Sequence, residues 1–512
     1  MNLLTLHTAC MVGLLTAASA SAQEADTAVS AIRRGYEHRA MVHRFVHAPY
    51  QNPAMSYYRY HTPLSAISTT GEYKSESTPL TAEEGDGWKG FGVNASSYTL
   101  LSRHSRLWGE ASYRNGRRMN VVWNENSDFE VLYPYVVADS IGGNMKNETY
   151  FFDGGYAWKE GRWTFGGELS YKAVLEYRDT DPRPRNLSAR ITGKAGASYL
   201  LSTRYAVGLS AQAHKYRQEG SIEYYNELGV SKTYHLSGLG MSYTRFNGSR
   251  TNTDYQGREF GGTLSILPVT PQGGWQGTFS YLHSTLDKTL PDVNDIELNN
   301  LAESTLTVET GWLSASTHGH SWGVKAAATH AIRRGTENLF GDPSGNQYPW
   351  ISKAEQFKRV ITTASVSGFY EHTAKAWRWS AVPSLCYTKH QETYHSPYKE
   401  LSYSILQPNL TLTADYLQQK NTWHLSLKGM HTSSLHSELT PGNATTPFAA
   451  QILEQDFRMQ SHSRATYALT ARWSNQLFRR MAVYAQVSWQ QTVYNGLGED
   501  ARQGICTLGV EL

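Results

Sequence analysis

The chain has 512 residues, with 47 Lys and Arg, 44 Asp and Glu, a formal net charge of +3 and a mean hydropathy of −0.50. Beyond residue 22 it holds no run of about 18 apolar residues, which excludes transmembrane helices, and no basic tract that would indicate a nucleic-acid-binding protein. Its 33 Tyr, 14 Trp and 43 Gly favour a protein of strands and turns.

Residues 1–22 form a predicted secretory signal peptide. An apolar stretch around Leu14 and Leu15 ends in the small residues Ala20-Ser21-Ala22, just before Gln23. This is the pattern of a hydrophobic region followed by a cleavage site, although the usual basic start is missing. We therefore expect an exported protein.

Residues 23–60 form a predicted N-terminal segment that differs from the rest of the chain. Apolar residues at helical spacing run through residues 27–47. They are interleaved with basic side chains, namely Arg33, Arg34, Arg39 and Arg44. Two interpretations are open: a plug inside the lumen of the barrel that follows, or a periplasmic tail with a marginal helix.

Residues 61–512 alternate between apolar and polar side chains with the period of β-strands. In residues 422–429 one face holds Trp423, Leu425 and Leu427, and the other holds His424, Ser426 and Lys428. In several such segments an aromatic residue lies near an end of the apolar face, as in the girdles at the two interfaces of a membrane. The pattern predicts an all-β protein, a transmembrane antiparallel up-and-down β-barrel.

We predict about 18 strands, within a range of 14–18. They lie near 64–73, 88–101, 106–123, 149–159, 162–177, 187–200, 205–218, 259–267, 275–286, 302–315, 321–334, 357–371, 376–392, 400–416, 422–433, 463–474, 480–494 and 501–512.

The predicted connections differ in length at the two ends of the barrel. Short turns such as Glu160-Gly161 alternate with long connections such as 335–356 and 434–462. Bacterial outer-membrane barrels have short periplasmic turns and longer external loops. An even strand number therefore places both termini in the periplasm of a Gram-negative bacterium. We expect residues 219–258 to form a long external loop with its own hairpin, and a helix over 446–458 to cap another.

The segment Gln51-Asn52-Pro53-Ala54-Met55 lies just before the first strand. Its residues Asn52, Pro53 and Ala54 resemble the Asn-Pro-Ala element at the start of the barrel in the long-chain fatty-acid channel superfamily. The whole mature chain resembles a Bacteroidota family of outer-membrane barrels of unknown function. The resemblance implies an N-terminal hatch and uptake of a poorly soluble molecule. The strand number exceeds the fourteen usual in the channel superfamily, which limits that transfer.

Alternation assigns a set of charged side chains to the lumen. The basic members are Lys172, Arg190, Lys194, Lys325, Arg333, Arg378, Lys428 and Arg472. The acidic members are Glu110, Glu168, Glu309 and Asp415. This excess of basic residues would favour anionic solutes in an open pore. Alternatively, the charges pair across the wall and brace a plugged lumen.

No motif of a catalytic, cofactor-binding or metal site is present in the sequence, and two mature cysteines exclude a disulfide scaffold. We expect a non-enzymatic channel or transporter for small or poorly soluble solutes. A first alternative is a non-conducting scaffold that binds partner proteins through its external loops. A second is a barrel enzyme acting on lipid or peptide. The expected partners are outer-membrane lipid and either a surface lipoprotein or a second outer-membrane protein.

Overall fold

The computed structural model describes residues 29–226, 231–248, 251–270, 273–345, 347–442 and 447–512. The predicted signal peptide, residues 1–22, lies outside the described residues.

Strands dominate the described chain. They are β1 (Leu64–Glu76), β2 (Gly87–Leu100), β3 (Ser105–Val121), β4 (Val137–Asp139), β5 (Gly143–Glu160), β6 (Trp163–Tyr177), β7 (Arg183–Leu200), β8 (Tyr205–Glu223), β9 (Thr233–Gly238), β10 (Met241–Ser242), β11 (Thr251–Pro268), β12 (Gly273–Leu290), β13 (Ile296–Ser314), β14 (His320–Phe340), β15 (Trp350–Ala374), β16 (Trp377–Tyr394), β17 (Lys399–Leu417), β18 (Asn421–Thr440), β19 (Arg464–Phe478), β20 (Met481–Tyr494) and β21 (Asp500–Glu511).

The described helices are short. The α-helices are α1 (Ala31–His38), α2 (Met41–Phe45), α3 (Phe129–Leu132) and α4 (Pro447–Ser461), and the 3₁₀ turns are Ala48–Gln51, Met55–Tyr58, Ala82–Glu84, Thr244–Phe246 and Pro291–Val293. Within the described residues, no helix is both long enough and apolar enough to cross a bilayer.

Eighteen of the strands form one antiparallel sheet in which each strand pairs with its neighbours along the chain. The sheet closes into a barrel because β1 pairs with β21, from Ala66 opposite Glu511 to Glu76 opposite Ala501. The small strands β4, β9 and β10 pair with one another instead. The predicted fold class and strand number are confirmed.

The outward face of the barrel is apolar. In β6, for example, Trp163 and Leu169 are 49% and 58% exposed on the outside, whereas Thr164 between them faces inward and is fully buried. Side chains of adjacent residues point to opposite faces of a strand, so the sequence alternation becomes one apolar and one polar surface. An exposed apolar band on a closed barrel is the surface that lipid covers.

The two ends of the barrel differ as predicted. The first residue of β1 and the last of β21 lie at the end where the connections are short, such as 161–162 and 375–376. At the other end the hairpins extend further than the alternation indicated. Strands β8 and β11 continue to Glu223 and Thr251, so the predicted loop 219–258 is shorter and contains the hairpin β9–β10. Outside the bilayer no lipid-facing surface is needed, so the apolar pattern stops before the strand does.

Both ends of the lumen are filled by chain. At the short-turn end, Phe45 of α2 and Met55 pack against Leu267 and Phe369 of the wall. At the loop end, Leu132 and Tyr135 of the segment 122–142, here called the cap, pack against wall residues that include Tyr255. Of the two interpretations of the N-terminal segment, the structure supports the plug.

Candidate functional site

The plug is docked on a floor of glycines in the barrel wall. Gly166, Gly196 and Gly208 belong to β6, β7 and β8, and Gly166 pairs directly with Gly196. A Cβ atom on Gly196 would overlap the Asn52 side chain, and one on Gly166 would overlap the backbone of Pro53. The lack of a side chain at these positions is therefore what lets the plug backbone approach the wall.

Asn52, Pro53 and Ala54 form a tight turn on this floor. The Asn52 Oδ1 atom accepts a hydrogen bond from the Ala54 amide at 3.0 Å, the geometry by which Asn stabilises a turn. Asn52, Ala54 and Met55 are fully buried. In this chain the element that resembles a channel motif is an anchor of the plug.

Charged residues of the wall hold the remainder of the plug. Arg39 pairs with Glu511 at 2.7 Å. The side chains of Arg378 and Lys325 donate to the backbone carbonyls of Tyr36 and Phe45, at 3.1 and 3.0 Å. Two of the predicted lumen residues are thus plug contacts. Arg33 and Arg44 are exposed, and Arg34 is partly buried.

The predicted lumen residues are largely paired. The pairs are Lys172 with Asp128 (3.5 Å), Lys194 with Glu168 (2.8 Å), Lys325 with Glu309 (3.3 Å), Arg333 with Glu303 (2.5 Å), Arg378 with Asp415 (2.8 Å) and Arg472 with Glu511. Arg190 lies over the Tyr216 ring, 5.5 Å from its centroid. Acids that the predicted set did not include, such as Glu303 and Glu511, also face inward and pair with Arg333 and Arg472.

Between plug and cap the wall is polar. Inward hydroxyl and amide groups bond to one another, as Thr470 does to Ser488 at 3.0 Å and Gln407 to Thr432 at 3.1 Å. The inward residues Glu110, Lys428 and Gln490 are exposed although they lie inside the barrel. The middle of the lumen is therefore open to water.

A buried ion triad anchors the cap. Arg178, just after β6, contacts Glu125 at 2.9 Å and Asp139 at 2.7 Å, and all three side chains are at most 1% exposed. Burial and the adjacent Asp139 raise the pKa of the Glu125 carboxyl well above its usual range. Burial alone would raise the pKa of Asp139. Hydrogen bonds from Glu125, Arg178 and the Gly142 amide outweigh burial and hold the pKa of Asp139 below its usual value. The triad fastens the chain on both sides of α3 to the rim of the barrel.

A pair of wall arginines holds α3 itself. Arg333 donates to the carbonyls of Glu130 and Tyr133, both at 2.7 Å. Arg359, directly opposite Arg333 in the sheet, pairs with the Glu130 carboxylate at 3.2 Å. Arg333 was predicted to face the lumen. It faces inward and binds the backbone of the cap there.

Helix α4 forms a lid over the cap. Its Asp456 accepts a hydrogen bond from the Ala82 amide at 3.0 Å, and Glu83 lies beside it in the loop between β1 and β2. The Glu83 Oε2 atom is buried, and among the described residues no donor reaches it. Burial raises the pKa of Asp456 to about 6. Burial and the neighbouring Asp456 charge raise the pKa of Glu83 well above its usual range.

No group of three His, Cys, Asp or Glu within the described ranges could hold a metal ion. His283 Nδ1 lies 2.9 Å from Ser304 Oγ on the outward face. In the part of the chain that the structure describes, no carboxylate pairs with this imidazole, so the dyad lacks the group that would orient its base.

The glycine floor and the ion triad were not among the predicted site residues. An inward glycine near a short turn is a signal that could have found Gly166 and Gly196. The triad had no such signal, because two of its members lie in a loop without periodicity.

A sequence profile of a family of unknown function, DUF6850, matches residues 53–512. No curated protein matches the chain. The ferric-catecholate import receptor Fiu of E. coli K12 is 8% identical, with a TM-score of 0.38 and coverage of 88% of this chain and 81% of that one. BauA, the ferric preacinetobactin receptor of Acinetobacter baumannii, is 9% identical, with a TM-score of 0.42 and coverage of 88% of this chain and 80% of that one. The copper transporter OprC is 8% identical, with a TM-score of 0.41 and coverage of 89% of this chain and 81% of that one. Similarity at this level says nothing about what this chain binds or transports.

Proposed function

Since the chain belongs to that family of unknown function, we propose from its own geometry that it is an outer-membrane barrel through which small hydrophilic solutes pass when its plug moves. The observation that carries this proposal is the combination of a polar lumen, whose inward side chains stay accessible in the middle, with a plug docked by backbone contact at one end. A barrel that served only as a rigid scaffold would not need such accessible side chains inside.

Placement in the outer membrane follows from the closed barrel and its apolar band. A closed barrel leaves no unpaired strand edge in lipid. The short turns and both termini then face the periplasm, and the long loops face outward.

The solute class follows from the lumen. Hydroxyl, amide and paired charged groups line it, as in Thr307 with Thr329 at 3.3 Å and Lys194 with Glu168 at 2.8 Å. Such a surface suits a hydrophilic solute better than a fatty acid. The poorly soluble cargo implied by the resemblance to fatty-acid channels, and the Bacteroidota origin, stay predictions. Most of the predicted basic residues are paired with acids, so the anion preference is not part of this proposal and stays a prediction.

The scaffold alternative is favoured by one observation, the dense pairing of charges at both ends of the lumen. Under this alternative the plug and cap brace the barrel permanently, and the external loops bind a surface lipoprotein or a second outer-membrane protein.

Liposome swelling in a neutral sugar separates the two functions. Vesicles holding the intact mature chain and a chain lacking residues 23–60 are compared, with folding checked by a heat-dependent gel shift. We expect swelling to be at least several-fold faster without the plug segment. If both folded proteins leave the vesicles tight, the transport proposal fails and the scaffold is favoured.

A further inference from the structure

A row of basic residues lies on the outside of the barrel. It comprises Lys215 of β8, Arg258 of β11, Arg334 of β14 and Lys358 of β15, here called the basic row. Lys215 pairs with Arg258, and Arg334 pairs with Lys358, as direct neighbours in the sheet. Because each alternates with inward residues, all four side chains point away from the lumen.

The two halves of the basic row belong to one continuous line of strand partners. Arg258 is opposite Thr285, Thr285 is opposite Ala302, and Ala302 is opposite Arg334. Strands are about 4.8 Å apart, so two small side chains separate the basic pairs by roughly 14 Å. The row therefore consists of two basic pairs, separated by the small side chains of Thr285 and Ala302, which are here called the saddle.

The basic row lies at the external edge of the lipid-facing band. Lys215 is ten residues beyond Tyr205 at the short-turn end of β8, and Arg334 is fourteen beyond His320 at that end of β14. At about 3.3 Å per residue and a tilt of about 40°, these heights are roughly 25 and 35 Å. A hydrocarbon band about 25 Å tall ends at the lower of them. The row thus rises from the band into the headgroup layer.

The basic row has no ion pairs within the described part of the chain. Among other outward basic residues, Arg217 pairs with Asp254 at 3.1 Å and Lys146 with Asp179 at 2.6 Å, whereas the sheet partners Lys89 and Arg117 share the lack of an ion pair. Below the saddle the outward surface continues with the hydrogen-bonded His283 and Ser304. Unpaired guanidinium and ammonium groups at headgroup height match phosphate groups in charge and position.

We propose that the basic row binds the headgroup of a phosphate-bearing glycolipid in the outer leaflet. The two basic pairs contact phosphates, the saddle over Thr285 and Ala302 accommodates sugar, and the apolar band below meets the acyl chains. The inference rests on the outer-membrane placement proposed above and is independent of transport.

The test uses the full mature chain in phosphatidylcholine nanodiscs with increasing amounts of lipid A that carries two phosphates. The readout is the midpoint of the heat-dependent gel shift. Lipid A should raise the midpoint of the wild-type protein. A variant with K215Q, R258Q, R334Q and K358Q should need at least tenfold more lipid A for the same shift.

Controls separate the phosphate contacts from other effects. A variant with K146Q, R217Q and R502Q removes outward basic groups that are in ion pairs, and it should respond like the wild type. Lipid A without phosphates should give no shift. If the fourfold variant proves hard to fold, the pair R334Q and K358Q should still show a reduced response.

Three results would overturn the proposal: an equal response of the basic-row variant and the wild type, an equal effect of lipid A without phosphates, or saturation of the response by inorganic phosphate alone. Conductance of the basic-row variant should equal that of the wild type. A loss of lipid binding therefore stays distinguishable from a failure of the transport proposal.

Discussion

At the scale of single residues, the cap depends on charges that are buried with their partners. Arg178, Glu125 and Asp139 are all at most 1% exposed, so none of them can recover hydration if a partner is lost. The desolvation of such a group is costly unless its hydrogen bonds are complete. These three side chains are therefore where the docking of the cap is most sensitive to substitution.

Replacing Arg178 with Met should release the segment 122–142 from the rim. The change leaves two acidic groups buried without their cation, which costs about 3–5 kcal/mol for a buried pair. The measurement is the rate of limited proteolysis within 122–142, which should rise strongly.

The matched control is Arg183→Met. Arg183 pairs with Asp181 at 2.7 Å but its side chain is 40% exposed, and an exposed pair contributes about 0–1 kcal/mol. Equal proteolysis of the two variants would show that the buried triad does not hold the cap.

At the scale of elements, the lid helix α4 is joined to the loop between β1 and β2 by a pair of carboxyl groups. A carboxyl group whose pKa is raised in the docked state stabilises docking at low pH, and this contribution is lost as the pH rises. Since burial raises the pKa of Asp456 to about 6, the loss extends from near pH 4 through pH 6 and above.

The lid should consequently loosen between pH 5 and pH 8. The hydrogen-exchange protection factors of residues 450–461 should be lower at the higher pH, because Glu83 and Asp456 then repel each other. Asp456→Asn should make these protection factors nearly independent of pH. Glu454→Gln on the exposed side of the same helix should keep the wild-type profile, and a pH dependence shared by all three proteins would rule out the carboxyl pair.

The sequence predicted some elements well and others poorly, for a physical reason. Lipid imposes a period of two on every strand it touches, so the faces of β6 and β18 could be predicted from alternation alone. The apolar spacing of residues 27–47 likewise predicted the helices α1 and α2. No such constraint applies to the loops, and the contacts of Glu125 or Glu130 with the wall depend on tertiary packing. The inward acids Glu303 and Glu511 could also have been predicted, because Glu303 shares the strand face of Glu309 and Glu511 lies between the apolar Val510 and Leu512.

At the scale of the whole molecule, the barrel is closed by one segment from each end and stays hydrated between them. The plug rests on Gly166 and Gly196 by backbone contact, and the cap rests on ion pairs at the opposite rim. A solute can cross only if the plug moves. We predict that the plug is a separable part whose position decides whether the lumen conducts.

Single-channel conductance in planar bilayers tests this most directly, with the wild-type chain, a Gly166→Ala and Gly196→Ala variant, and a Gly193→Ala control. Gly193 lies on the same strand as Gly196, and a Cβ atom there would meet nothing within 4 Å. We predict that the double variant, whose added methyl groups displace Asn52 and Pro53, opens more often or to a larger conductance than the wild type, and that the control does not differ from it. If the folded double variant conducts no more than the wild type and the control, the docking of the plug on Gly166 and Gly196 does not control conductance.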